Sequence, residues 1–216
     1  LGNISEIMLL KDFVRKRIYS APYIDDKKVL IDNFLRICSK GKESDSVLRK
    51  ELLKARASDF ALRELISNGI LYSYGAINQE VEQSTFIKFN QSIIFDFLLL
   101  IKWKGTNPLS ADLFGELLSY YNDNKKLQTS LTRLFVHYAI HENNFTLIKN
   151  ILTSVDGYLK LTDSEQAPWY RTLIQTLRIE INTNRHCREV LGTWINKSKI
   201  GKQVDILLQK DNLISF

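Results

Sequence analysis

Two histidines, His137 and His141, have the spacing in this sequence that best suits metal chemistry. They lie four residues apart on a predicted helix, so both imidazoles fall on one face, where they could hold a metal ion. A metal site needs further ligands, and no HExxH pattern is present. Glu142 falls on another side of the helix, and His186 and Cys187 come only after the next predicted hairpin. We therefore expect both histidines to be structural, one inside a helix interface and the other near solvent.

The two cysteines, Cys38 and Cys187, could act as nucleophiles if a histidine and an orienting acid lay beside them. No motif in the sequence supports such a group. Cys38 falls on the apolar stripe of its predicted helix, where a thiol serves as a small core side chain. Two cysteines without CxxC spacing are also too few for a disulfide framework, so we expect a reducing, cytoplasmic protein.

A nucleotide site of the P-loop type requires GxxxxGK followed by Ser or Thr, whose backbone N–H groups and lysine surround the phosphates. Gly41-Lys42 and Gly201-Lys202 lack the upstream glycine. Paired carboxylates for acid–base work are not marked out either. Asp96 alone stands in an apolar run, IIFDFLLLI, either at the solvent edge of a helix or beside a buried partner. The sequence thus predicts no catalytic, metal or cofactor site of its own.

The elements that position these residues belong to a chain of 216 residues, 44% hydrophobic and 25% charged, the proportions of a folded globular protein. Its net charge of +6 is spread over both halves. The most apolar stretch, Ile93 to Trp103, contains Asp96 and Lys102 and is shorter than the ~20 apolar residues of a membrane span, so no membrane partner is expected. Leu1 is the first residue and Met8 the only methionine, from which we expect the chain to be a piece of a longer protein.

A linker helix and a small domain are predicted in the first half of the chain. Apolar side chains at helical spacing over residues 4–20 indicate the linker helix, assigned to residues 1–24. Residues 25–104 then carry three helices, the last beginning at the capping residue Ser58 and ending at Gly69. The helix before it is expected to begin at Ser44 or Ser46 and to bury Val47 and Leu48.

Two short β-like runs follow these helices, at residues 70–74 and 85–89, and a polar loop joins them. Three helices followed by a hairpin predict a winged helix. The predicted fold class is therefore mainly α, with a small two-stranded β-hairpin.

Residues 105–216 show only helical patterns, separated by short polar breaks such as Glu142-Asn143-Asn144. Short turns between helices of this length imply antiparallel α-hairpins stacked side by side, an array of the TPR or HEAT kind. The predicted helices cover residues 109–122, 124–142, 144–155, 165–183, 186–197 and 201–210.

DNA binding is a possible role of a winged helix, because its third helix would enter the major groove. The outward positions of that helix are predicted to be Asp59, Arg63, Glu64 and Ser67. The wing loop, residues 76–83, contains Glu80 and Glu82 but neither Arg nor Lys. Acidic side chains at these places would repel phosphate, so a winged helix that packs on protein is favoured and nucleic acid is disfavoured.

A resemblance to a known family is carried by ALRELISNGIL (Ala61 to Leu71), the polar hairpin, and FIKFNQSIIFDFLLL (Phe86 to Leu100). These parts resemble the winged-helix segment that follows the nucleotide-binding core in STAND-class NTPases of the NACHT type. In that family the strand ends in an aromatic residue and His and leads into a helix with an acidic residue. The corresponding positions here are Phe89, Asn90, Ile94, Asp96, Phe97 and Leu98.

The resemblance implies a non-catalytic regulatory fragment of a signalling ATPase. It implies a winged helix that packs on an ATPase core upstream of Leu1, where ATP or ADP would be bound, and a helical array that senses a ligand or protein partner. Asn90 stands where the family has its phosphate-facing His; an amide can donate a hydrogen bond to phosphate but carries no charge. Alternatively, Asn90 caps the helix that begins at Gln91 or Ser92. A DNA-binding transcriptional regulator with a helical dimerisation or effector domain is the alternative function.

Overall fold

The computed structural model of the chain describes residues 5–41, 45–54, 58–75, 85–154 and 167–197. These residues are mainly helical and include a small antiparallel sheet, which confirms the predicted class at that level. The chain divides into two compact units, Met8–Trp103 and Leu1–Ile7 with Lys104–Phe216. Within the described ranges, no helix has both the length and the apolar character needed to cross a membrane.

The unit Met8–Trp103 combines helices with the sheet. Helices α1 and α5 contain the positions at which the two units are divided. Its helical segments are α1 (Glu6–Phe13), a π-helical turn (Val14–Ile18), α2 (Ile24–Gly41), α3 (Arg49–Lys54), α4 (Asp59–Ser67) and α5 (Ser92–Lys104). Its strands are β1 (Ser46–Leu48), β2 (Leu71–Tyr74) and β3 (Phe86–Phe89).

The sheet has three strands in the order β1-β3-β2, all antiparallel, whereas two were predicted. The predicted hairpin is present as β2 and β3. The prediction of a helix beginning at Ser44 or Ser46 is wrong for its first turn. Residues Ser46–Leu48 form β1, and the helix begins at Arg49. Val47 lies opposite Ile87, and the two are 2% and 0% exposed. Burial of this β-branched pair in the sheet overrides the helical spacing.

Helix α4 begins and ends where the sequence predicted. The Ser58 hydroxyl accepts a hydrogen bond from the Ala61 N–H at 3.4 Å. Gly69 follows the helix with φ +68°, the left-handed conformation that glycine adopts without steric cost. One face of α4, including Leu62 and Leu65, is fully buried. This burial fixes which side of α4 remains outside.

The other unit is helical wherever it is described. Its core surrounds α7, where Leu131, Leu134 and Phe135 are fully buried. Asn143 adopts φ +56° and the Asn144 side chain caps the next helix at 3.2 Å, so the predicted turn is confirmed. The elements are α6 (Ala111–Tyr120), α7 (Lys125–His141), α8 (Phe145–Ser154), α9 (Pro168–Thr183), α10 (Arg185–Cys187), a π-helical turn (Arg188–Gly192) and α11 (Thr193–Lys197). The helix predicted at 201–210 lies outside the described residues.

Candidate protein-interaction surface

The two histidines chosen for their spacing are engaged within their own unit. His137 Nδ1 lies 2.8 Å from Glu180 Oε1, and His137 Nε2 lies 3.3 Å from Glu6 Oε2. His141 Nδ1 lies 3.1 Å from the Ser5 hydroxyl. Among the described side chains, no group of three or more His, Cys, Asp or Glu is arranged to hold a metal ion. These contacts fit the structural role predicted for both histidines.

Both cysteines are free and buried, 4% exposed at Cys38 and 0% at Cys187. Burial, assisted by the nearby Asp45 carboxylate, raises the pKa of Cys38 to about 12. Burial and the Glu180 carboxylate likewise raise the pKa of Cys187 to about 12. A nucleophilic cysteine requires access and a lowered pKa, so these surroundings oppose such a role.

Asp96, the lone acid of the apolar run, is 8% exposed on α5. This burial excludes the solvent-edge alternative. The residue also takes part in an interaction within the protein. Of the two alternatives that the sequence left open, burial therefore favours the one in which the carboxylate lies inside the protein.

Asn90 links the end of β3 to the turn after α4. Its backbone N–H donates to the Ile70 carbonyl at 3.0 Å, and its side-chain Nδ2 donates to the Gly69 carbonyl at 3.2 Å. Helix α5 begins at Ser92, so Asn90 lies before its first turn. The side chain is exposed, and an amide nitrogen carries a second hydrogen that can reach an outside acceptor.

The outward charges of α4 are engaged in ion pairs. Asp59 binds Arg49 at 2.7 Å and Arg63 at 2.7 Å. The hydrogen bond from Arg49, with help from the charge of both guanidinium groups, lowers the pKa of Asp59. Arg63 therefore presents a guanidinium already engaged by a carboxylate, and a phosphate would have to compete with Asp59 for it.

Glu64, expected to point outward, is instead half-buried against α2. Its Oε1 accepts from Lys27 Nζ at 2.8 Å, and Lys27 also donates to the Ser20 carbonyl at 2.9 Å. Lys27 is 0% exposed, and Glu64 Oε2 is buried with no hydrogen-bond partner among the described residues. A buried pair of this kind fixes the position of α4 on α2 because neither charge can be left alone.

Apolar side chains are exposed at the start of α4 and of α2, a surface we name the aromatic patch. Phe60, Tyr23 and Ile24 are 69%, 46% and 38% exposed. The Tyr23 and Phe60 rings stack with centroids 6.2 Å apart and an angle of 22°. Tyr23 has φ +62°, a strained conformation for an aromatic residue, and such strain clusters at binding sites.

The aromatic patch was missed from the sequence, although one signal could have found half of it. Phe60 lies opposite Leu62 and Leu65 in helical spacing, so a helix that buries those leucines must turn Phe60 outward. Tyr23 gives no comparable signal because it precedes α2. Lys27 gives none either, since it stands in the charged run Asp25 to Lys28 and its partner is 37 residues away.

A second exposed aromatic set lies on the sheet. Tyr72 and Tyr74 are 38% and 44% exposed, and Tyr74 stacks on Phe86 across the β2–β3 pair at 5.6 Å. Lys88 on the same face pairs with Asp45 at 2.6 Å. The predicted acidic wing loop, residues 76–83, lies outside the described residues.

Comparison of the chain with protein-family models, with curated proteins and with solved structures finds no match in any of the three.

Proposed function

We propose that the chain is a non-catalytic regulatory and interaction part of a STAND-type signalling ATPase. In this proposal a winged helix packs on a nucleotide-binding core, and the helical array senses a ligand or a protein partner. ATP or ADP is bound by the core, and the setting is cytoplasmic, in keeping with two buried free thiols.

The order of elements supports the winged-helix assignment. Helix α2, strand β1, helices α3 and α4, and strands β2 and β3 follow one another, with β3 between β1 and β2 in the sheet. In the proposed winged helix, α4 is the third helix and β2–β3 is the wing. In a DNA-binding winged helix, that third helix carries the base contacts.

The outer face of α4 is the observation that carries the interaction role. Its Asp59 and Arg63 are paired, and Phe60, 69% exposed, is its most exposed large hydrophobic residue. Exposed apolar residues rimmed by polar ones mark protein contact sites, and aromatic residues are enriched in such interfaces. A phosphate-binding surface would instead carry several Lys or Arg side chains, whereas Arg63 is the one basic residue of α4.

Asn90 is assigned a contact with the nucleotide phosphates in the full-length protein. Its side chain is exposed and can donate a second hydrogen bond while holding the Gly69 carbonyl. Docking of the winged helix on the core would then depend on the bound nucleotide, a two-state arrangement in which nucleotide and partner bias the same equilibrium.

The test begins with the reading frame upstream of Leu1, where we expect a P-loop and an acidic magnesium-binding strand. Nucleotide retention is then measured in the full-length protein after Phe60→Ser and after Asn90→Ala, with Val29→Ser, an exposed position on α2, as the matched control. Both test variants should release nucleotide faster than the control. A frame without a P-loop, or unchanged retention in both variants, would overturn the proposal.

A further inference from the structure

A groove of about 500 Å³ lies between α1 with its π-helical turn, α2 and α5. All of its lining residues belong to the unit Met8–Trp103. Its volume falls within the ~300–1,000 Å³ range of small-molecule sites. The apolar part of the lining consists of Val14, Ile31, Leu35, Phe97, Leu98 and Ile101.

The walls of the groove offer a ligand only a small apolar surface. Val14, Ile31 and Leu98 are 8%, 1% and 4% exposed, so each presents only a small part of its side chain to a bound molecule. A docking helix needs a broad row of accessible apolar side chains along several turns. A single alkyl chain needs only a narrow slot, and each buried methylene adds affinity.

The charges of the groove favour an anion. Its lining contains the cations Lys11, Arg15 and Lys102 against the single carboxylate of Asp32. Lys102 pairs with the Asp32 side chain and donates to its backbone carbonyl at 3.2 Å. Arg15 pairs with Asp12 at 2.6 Å, and with that acid counted the cations still outnumber the anions.

The backbone gives an independent indication of a binding site. Residues Val14–Ile18 form a π-helical turn, and Val14 and Arg15 of this turn line the groove. Short π-helical segments are rare and occur frequently at functional sites. Tyr19, directly after the turn, adds a hydroxyl to the lining.

We propose that this groove binds a monomeric single-chain carboxylate, with its alkyl chain between α2 and α5 and its head at Lys102 and Arg15. The carboxylate competes with Asp32 for Lys102, and its planar head suits the guanidinium of Arg15. This inference is independent of the proposed ATPase role and concerns a different surface from the aromatic patch.

Calorimetric titration of the whole chain with dodecanoate, kept below its micellar concentration, tests the proposal. Lys102→Ala should weaken binding roughly tenfold or more, since a charge-assisted hydrogen bond is lost. Asp32→Asn should tighten binding, because a competing anion is removed. Ile101→Trp should block the groove. The control is Val29→Trp, on α2 but outside the lining, and this variant should bind dodecanoate as the unaltered chain does.

Dodecyltrimethylammonium, with the same chain and a cationic head, should not bind measurably. Equal binding of the two amphiphiles, or weaker binding after Asp32→Asn, would overturn the proposal. Failure of dodecanoate to bind, while an acidic amphipathic peptide does bind, would reassign the groove to a helical partner. The Asp32→Asn variant and the comparison of the two head-group charges test the proposal even if Lys102→Ala fails to fold.

Discussion

The buried ion pair of Lys27 and Glu64 is predicted to contribute strongly to stability. Glu64→Gln leaves a fully buried ammonium without its counter-charge, which should cost about 3 kcal/mol of unfolding free energy. Asp25→Asn, at an exposed ion pair with Lys28, is the matched control and should cost less than about 1 kcal/mol. Urea unfolding measures both.

The double replacement Lys27→Met with Glu64→Leu separates the charge from the packing. Because it removes both buried charges together, it should recover most of the stability that Glu64→Gln loses. A double variant as unstable as Glu64→Gln would show that the pair is not the source of the loss.

The two thiols are predicted to make stability fall at alkaline pH. Their pKa values are about 12 in the folded chain against an ordinary 9.0, so the unfolded chain loses these protons first. The stabilisation is complete below pH 9 and is lost as pH rises toward 12, on the order of 2 kcal/mol per thiol by pH 10.5. Urea unfolding at pH 8 and 10.5 should show a shallower decline in a Cys38→Ala, Cys187→Ala variant; an identical decline would contradict the assignment.

At the scale of single elements, the left-handed backbone of Gly69 after α4 predicts the effect of a substitution on stability. Gly69 has φ +68° and open space around an added Cβ, so Gly69→Ala should cost about 1–2 kcal/mol through backbone strain alone. Gly115, inside α6, also has open space but no positive φ, so Gly115→Ala should stabilise by about 0.5–1 kcal/mol. Opposite signs in chemical denaturation would confirm both; equal effects would refute the backbone explanation.

The cap of α8 gives a second prediction at this scale. Asn144 accepts from the Leu147 N–H at 3.2 Å, and Asn144→Ala should cost about 1 kcal/mol. Asn150, exposed within the same helix, is the matched control, and alanine there should be neutral or slightly stabilising. Thermal unfolding of the two variants provides the comparison, and a control as damaging as the cap variant would contradict the capping role.

For the whole molecule, the distribution of charge predicts weak and non-specific contact with DNA. The net charge is +6, yet the outward charges of α4 are paired with one another. In gel-shift experiments at rising salt, we expect no discrete complex. A complex that forms at low salt and weakens steeply with added salt would favour the DNA-binding alternative.

The sequence predicted those parts of the fold that depend on neighbouring residues, and it missed those that depend on residues distant in the chain. Ser58, Gly69 and Asn144 act on their own helix ends; the sequence predicted Ser58 as a cap and Gly69 as a helix end, and it located the turn that contains Asn144. Strand β1 was missed because its three residues pair with β3, about forty positions away. The spacing of apolar residues within β1 does not indicate that β3 is its partner.

The candidate surface was predictable only in part for the same reason. The pair of Asp59 and Arg63 is a local i,i+4 pair within α4, whereas the bond from Arg49 to Asp59 joins two elements and depends on the geometry between them. Glu64 was placed outside because its partner Lys27 belongs to another helix. Phe60 and Tyr23 are exposed because no other described element covers their rings. A single sequence gives little information on which element will cover a given side chain.

The burial of both cysteines has a practical consequence for experiments on the chain. The sequence contains two cysteines, and both are shielded thiols with raised pKa values. A cysteine introduced by Ser67→Cys, at an exposed position of α4, would therefore be the preferred target of a maleimide probe near neutral pH, without removal of the native ones. A fluorophore or spin label attached there would report contact at the outer face of α4 while Phe60 and Tyr23 stay in place.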